Sequence, residues 1–308
     1  MADALSEILQ HITVTSSVYF QRNFYKPWAM EIANTGFAQF HVITSGSCVV
    51  TCGEQTQACA TGDILLFPRS MRHTLADEPA REAIDGPTVM ASFASDTPMF
   101  SEGDTATRLI CGHYAYRSNI LHPLISDLPD FVHVKGDHVI GESSAISVLP
   151  LILNELSAQR PGHSLIVERF AEILLIQTLR LYYAQSPQKH GFFAGLADLR
   201  LARAISHIHR HFAAPLTLAD LAEAAAMSRS SFSQHFKQIA RISPIEYLAK
   251  WRMITAGHYL KSTSDSIAIV AENVGYDSAI SFARAFAREY GVTPSFFRSA
   301  EPCERRDF

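Results

Sequence analysis

Two short runs near the C-terminus carry side chains suited to reading nucleic acid: Arg229, Ser230, Gln234 and Lys237 in one, Ile280, Ser281, Arg284 and Arg288 in the other. Arg can fork to the two major-groove acceptors of guanine, and Gln matches the donor and acceptor of adenine. Ser bonds either, Ile offers only apolar contact to a thymine methyl, and Lys or Arg can hold phosphates. The first half carries a different chemistry. His41, His73, Cys111 and His113 are all able to ligate a metal. Cys111 and His113 stand two residues apart, which in a strand places them on one face. Cys48, Cys52 and Cys59 surround a hairpin expected near Gly53-Glu54. They are either small core residues or redox-active thiols. His122, His133 and His138 lie in loop-like sequence and are expected at the surface. No nucleophile stands in an arrangement with a general base, so no catalytic residue is assigned.

The elements that must position the two polar runs are duplicated. Leu218, Leu221, Ala222, Glu223, Phe232, Phe236 and Pro244 recur as Ile267, Val270, Ala271, Glu272, Phe282, Phe286 and Pro294, offset by 49 residues before the turn and 50 after it. Each copy predicts a short helix, a tight turn and a second helix. Thr217 and Ser228 are expected N-caps in the first copy, and Asp277 takes the place of Ser228 in the second. Phe232, Phe236 and Ile239, and Phe282, Phe286 and Tyr290, follow helical spacing and predict buried faces opposite the polar ones. A helical bundle with merely solvated polar residues accounts poorly for matched caps, phenylalanines and prolines.

The front half reads as strands. Phe37, Gln39, His41 and Ile43 alternate with Ala38, Phe40, Val42 and Thr44, glycines punctuate at 46, 53 and 62, and Asp63–Phe67 is a compact apolar run ended by Pro68. Strands at this spacing from Trp28 to about Phe93, with one more over Leu109–Tyr116, predict a small barrel or sandwich. Helical periodicity follows at Ile146, Leu149, Leu153 and Leu156, and again from Leu165 to Tyr183. The second stretch is apolar around most of its circumference, so it packs on the barrel, on a second subunit, or on both.

Ser186–Gly191 is polar and rich in helix breakers and opens a linker over 186–195, between a sensor half at 1–185 and a helical domain at 196–300. Charge shifts at the same place. Residues 1–190 hold 12 Lys and Arg against 19 Asp and Glu, whereas residues 191–308 hold 14 against 11. An acidic front and a mildly basic back suit a sensor joined to a nucleic-acid binder. The opening residues lack a secretory pattern and no apolar run is long enough to span a bilayer, which predicts a soluble cytoplasmic protein. Five cysteines without framework spacing suit a reducing compartment.

LADLAEAAAMSRSSFSQHFKQIARISPIEYL, WRMITAGHYL and SIAIVAENVGYDSAISFARAFAREYGVTPSFFR together resemble the DNA-binding domain of AraC/XylS-type transcription regulators over residues 196–300. The resemblance implies two helix-turn-helix units joined by a central helix near Ile245–Lys261. Their recognition helices would enter major grooves roughly 34 Å apart. It also implies base contacts at Ser230, Gln234, Ser281 and Arg284, and RNA polymerase as a partner. Ala226 stands where the family usually has glycine, and Gln234-His235 replace a position often basic, which points to a weaker or differently tuned first unit.

Gly62-Asp63, Pro68 and His73 resemble the second motif of cupin barrels, and Gly36 with His41 resembles part of the first, over residues 28–95. In metal-binding cupins the equivalents of His41 and His73 converge inside the barrel. If the strand bearing Cys111 and His113 borders the same cavity, the four close a tetrahedral shell suited to Zn²⁺, with no position open for catalysis. Four separately satisfied polar residues around a small-ligand pocket is the alternative. The expected fold is therefore α+β: an N-terminal cupin-like barrel with flanking helices and a C-terminal all-α domain with two helix-turn-helix units. The expected function is sequence-specific transcription regulation, by a possible homodimer, with the barrel sensing a small molecule, metal or oxidant. A metal-dependent cupin enzyme with oxygenase or isomerase chemistry is the competing reading, and an interaction module built on the Leu165–Tyr183 helix leaves the duplication unexplained.

Overall fold

The computed structural model describes residues 4–12, 14–103, 105–116, 122–136, 145–185 and 191–300. The expected linker residues 186–190, His138, Cys303 and the charged tail at 301–308 lie outside the described residues.

The chain divides into two units, one comprising Thr15–Ala115 with Leu128–Ser186, the other gathering the N-terminal segment, Tyr116–Asp127 and the C-terminal helices. The strand-rich unit is built on two five-stranded sheets. One runs β1 (Val14–Tyr25), β9 (Ala106–Tyr116), β3 (Ala38–Ser45), β6 (Ile64–Phe67) and β10 (Val132–Val134) in spatial order. The other runs β5 (Gln55–Ala60), β4 (Ser47–Cys52), β7 (His73–Ala76), β2 (Ala29–Ile32) and β8 (Ile84–Asp85). β4 and β5 form the expected hairpin, turning at Gly53 with φ +58°.

Side chains from both sheets fill the interior: Phe24, Trp28, Val50, Leu65, Phe67, Leu75 and Leu109 are buried in one cluster with Cys48, Cys59 and Cys111. Asp85 caps α2 (Gly86–Ser92) by accepting from the Thr88 amide. The long β1 precedes the region where strands were expected, because Tyr19 and Arg22 interrupt a plain two-residue alternation. α4 (Ala145–Ala158) packs on α5 (His163–Gln185). α5 is tied to the sheet where Tyr114 donates its hydroxyl to the Ala171 carbonyl at 2.9 Å, and Ser16 donates to the Glu168 carbonyl at 2.6 Å.

The helical unit holds α1 (Ala4–Ile12), α3 (Pro123–Ser126), α6 (Phe192–Ala197), α7 (Leu199–His211), α8 (Leu218–Ala224), α9 (Arg229–Ala240), α10 (Pro244–Ser262), α11 (Ile267–Asn273), α12 (Ala279–Tyr290) and α13 (Pro294–Ser299). α1 and α3, which lie within the 1–185 half of the sequence, cluster with these helices, and polar groups explain it. His122 accepts from the Leu124 amide through Nδ1 (3.0 Å) and so donates from Nε2 to the Tyr247 hydroxyl (3.0 Å). Tyr247 in turn donates to His209 Nε2 at 2.6 Å, and His209 Nδ1 donates to Glu7 at 2.9 Å. A directed hydrogen-bond chain thus joins α1, the start of α3, α7 and the central α10, and a buried donor left without its acceptor is costly. His122 is therefore buried, contrary to the surface position its loop-like context suggests. Residues 192–195, expected as linker, form most of α6, and the Phe192 amide donates to Asp127 at 2.9 Å.

Candidate nucleic-acid interface and sensor core

Each helix-turn-helix unit is set by local chemistry. Thr217 and Asp220 form a reciprocal capping box at the start of α8, and Ser228 caps α9 by accepting from the Ser231 amide. α9 then buries Phe232 and Phe236 completely and leaves Ile239 partly covered. In the second unit Ser266 caps α11 and Ser278, not Asp277, caps α12 by accepting from the Ser281 amide. Asp277 belongs to the lengthened turn: the duplication restores register at Ser278, which makes the extra residue a turn insertion. α12 buries Phe282 and Phe286, with Tyr290 stacked on Phe286 at 4.1 Å. The repeated prolines Pro244 and Pro294 open α10 and α13 directly behind the caps Ser243 and Thr293.

All eight residues predicted to face nucleic acid are exposed. Arg229, Ser230, Gln234 and Lys237 line the outer side of α9, and Ile280, Ser281, Arg284 and Arg288 line that of α12. Ile280 is 69 % exposed. His235, the neighbour of Gln234, turns inward instead: its Nε2 lies 2.6 Å from Asp198 Oδ2, the carboxylate that caps α7. The turn residue Ala226 adopts φ +53°, and its counterpart Gly275 has φ +78°.

In the barrel, His41 of β3 lies directly opposite Cys111 of β9, and His73 comes from the other sheet. His73 Nδ1 donates to the Met71 carbonyl at 2.7 Å, so its Nε2 accepts from His41 Nε2 at 2.8 Å. His41 Nδ1 is left as an acceptor, and the Cys111 thiol lies 3.0 Å from it. The four candidate ligands therefore do not gather about one point. His41 presents one nitrogen to Cys111 and the other to His73, and a single ion can take only one of them. His113 sits one pleat further along β9, its ring 5.1 Å from Tyr19 and 4.6 Å from Phe37, with a buried Nδ1 that has no hydrogen-bond partner. Convergence of His41 and His73 is as expected; the closed shell around a single Zn²⁺ is not what this geometry provides.

Burial sets the charge states. It holds His41 well below the usual histidine range, with the facing His73 adding to the effect. It lowers His73 to about 4 against the raising effect of the Met71 carbonyl, and it lowers His113. The same burial raises the Cys111 thiol. Neutral imidazoles and an intact thiol are the states that a one-directional chain of donors requires.

Sequence reasoning missed two clusters. The Glu7–His209–Tyr247–His122 chain brings together residues up to 240 positions apart in sequence, which no local pattern reveals. His133, expected at the surface, is only 10 % exposed in its side chain and bonds Asp63 at 2.8 Å. Its position between Val132 and Val134 was the available sign of a strand.

Comparison with known proteins accords with both halves. A cupin family model matches residues 3–184, and a helix-turn-helix domain model matches residues 221–300. A putative AraC-like transcription regulator from Streptomyces lividans is 32% identical over 274 residues, covering 88% of this chain and 90% of that protein. The chain belongs to the AraC-like transcription regulators. Another relative of this AraC-like chain, the HTH-type transcriptional regulator AlkR of Acinetobacter baylyi, is 28% identical over 304 residues, covering 96% of this chain and 99% of its own length. Among solved structures, the DNA-binding domain of AdpA in complex with a target DNA is 26% identical, covers 32% of the AraC-like chain and 88% of its own, and has a TM-score of 0.31. The two family matches and the regulator relatives make the chain a DNA-binding transcription regulator with a cupin domain. No described helix is long and apolar enough to cross a membrane.

Proposed function

We propose that this regulator reads DNA through two unequal faces, Arg229, Ser230, Gln234 and Lys237 on α9 and Ile280, Ser281, Arg284 and Arg288 on α12. The observation that carries this is the exposure of all eight beside fully buried phenylalanines at matching positions. Ser230, Gln234, Ser281 and Arg284 read base edges, and Arg229, Lys237 and Arg288 hold phosphates. The second face is the stronger reader, because Arg284 can fork to guanine where the first unit has Gln234, and Ile280 adds an apolar contact. The inward pairing of His235 with Asp198 supports this inequality, since it withdraws a potential cation from the first face.

The protein works without catalysis, in the cytoplasm and with RNA polymerase as its partner. The barrel sets which half-sites the helical units occupy together. A filled barrel interior with buried thiols and imidazoles favours a metal ion or an oxidant over a bulky organic effector. Leu151, Leu165, Ile166 and Ile173 are exposed on α4 and α5, which supports association of two copies through these helices.

An operator selected from random DNA tests the reading. Arg284→Ala is expected to weaken binding of the full chain by about 1–3 kcal/mol and to relax discrimination at one base pair. Unchanged affinity together with unchanged discrimination among operator variants removes the assignment.

A further inference from the structure

We propose that Cys59, Asp63 and His133 form a Zn²⁺ site that clasps the two sheets of the barrel together, apart from the His41–His73–Cys111 chain. The Cys59 sulfur, an Asp63 carboxylate oxygen and a His133 ring nitrogen lie within 4.8 Å of one another. Tetrahedral coordination with ordinary Zn–N, Zn–O and Zn–S bonds needs ligand separations of about 3.3–3.8 Å, so small side-chain adjustments admit the ion. A thiolate, an imidazole and a carboxylate form a donor set of borderline softness that suits Zn²⁺. Solvent supplies the fourth ligand.

The fold holds these groups in place beforehand. Asp63 Oδ1 accepts from the Gly136 amide at 2.7 Å and Oδ2 accepts from the Ala60 amide at 3.0 Å. These bonds fix the carboxylate while leaving further lone pairs on its oxygens. A Cβ on Gly136 would lie 2.7 Å from the Thr61 carbonyl, so only glycine lets the end of β10 approach the β5–β6 turn this closely. The side chains of His133 and Asp63 are 10 % and 9 % exposed, and Cys59 is 3 % exposed.

Location gives the cluster a purpose. β5 is the edge strand of one sheet and β10 the edge strand of the other, so an ion here links two edges that no strand pairing joins. At present a single hydrogen bond between His133 Nε2 and Asp63 Oδ2, at 2.8 Å, stands where the ion would sit. On binding, the Cys59 thiol releases its proton, and His133 carries its ring proton on Nδ1 so that Nε2 can ligate. Before an ion binds, the Cys59 thiol donates to the Gln57 carbonyl at 3.6 Å, a weak bond whose loss costs little, and Cys48 stands opposite it across the strand pair.

The site rests on the barrel alone and stands whether or not the C-terminal helices read DNA. Its test is metal content and affinity of the full-length protein, with Zn²⁺ by elemental analysis and Co²⁺ as the spectroscopic probe. One ion per chain is expected, with thiolate-to-cobalt absorption in the near ultraviolet. His133→Ala and Cys59→Ser should each weaken affinity beyond the roughly 10–100-fold that outer-shell changes cost, while Cys111→Ser keeps both ion and absorption. Should Cys59→Ser fail to fold, the cobalt absorption of the wild type and its loss in His133→Ala still identify the thiolate and imidazole ligands. No bound ion after incubation with Zn²⁺, or full affinity in His133→Ala, overturns the site. Loss in Cys111→Ser with retention in His133→Ala overturns it as well, and moves the metal to the other cluster.

Discussion

At the residue scale, the two turn positions Ala226 and Gly275 show how one structural demand meets two different sequences. Both adopt positive φ, a conformation that costs an L-residue roughly 1–2 kcal/mol. Ala226 bears that strain in the open, being exposed, whereas a Cβ on Gly275 would come within 2.4 Å of the Ala213 carbonyl. Ala226→Gly is therefore expected to stabilise the helical unit by about 0.5 kcal/mol, the relief of strain less the added freedom of the unfolded chain. Gly275→Ala should cost about 2 kcal/mol or more, since it adds a clash to the strain. Urea denaturation of the two variants checks both; equal effects of opposite sign would deny that the two turns differ in packing. The family departure at Ala226 was visible in the sequence. Its small energetic cost depends on there being nothing above the methyl group, which only the fold reveals.

At the scale of elements, α5 divides its apolar residues between two faces. Val167, Ala171, Leu174, Leu175 and Leu179 are buried, while Leu165, Ile166 and Ile173 remain exposed on the other side. Ile166 and Ile173 are seven residues apart, two helical turns, and so fall on one stripe. The apolar excess thus divides into a face that packs within the unit and an exposed face, the one that the proposed association of two copies would cover. Ile166→Glu with Ile173→Glu is expected to shift the protein to monomer in sedimentation velocity without loss of helix content. A dimer that persists in this double variant would place the subunit contact elsewhere. The helix-turn-helix elements posed no ambiguity, because caps, phenylalanines and prolines act within a turn or two of where they stand. Only the cap of α12 was misplaced, by one residue. Asp277 and Ser278 are both competent caps, and the choice between them depended on where the turn insertion fell.

At the scale of the whole molecule, the buried imidazoles tie the stability of the strand-rich unit to pH. His41 and His73 are held neutral in the folded state, while in the unfolded chain they titrate near 6.5. Below that pH the unfolded state binds more protons, so folding stability falls as pH drops from about 6.5 toward 4. Each histidine contributes a slope approaching 1.4 kcal/mol per pH unit within that window. Thermal melts across the range should show this loss, and His73→Gln should flatten it by about half. A melting temperature that stays level between pH 7 and pH 5 would contradict the neutral pair.

Local periodicity, capping and motifs of short span were enough to define the duplicated helix-turn-helix, its exposed polar faces and the strand-rich half, and the cupin resemblance implied the nearness of His41 to His73. What those groups touch was settled only by packing in three dimensions. It sent His41 between Cys111 and His73 as a hydrogen-bonding link, assigned α1 and His122 to the helical unit, and brought Cys59, Asp63 and His133 to the seam between two sheet edges. A ligand set or a polar network needs directions as well as neighbours, and direction is not encoded locally. Spacing along the chain places a side chain on a face, but packing chooses which nitrogen, which edge and which partner it meets.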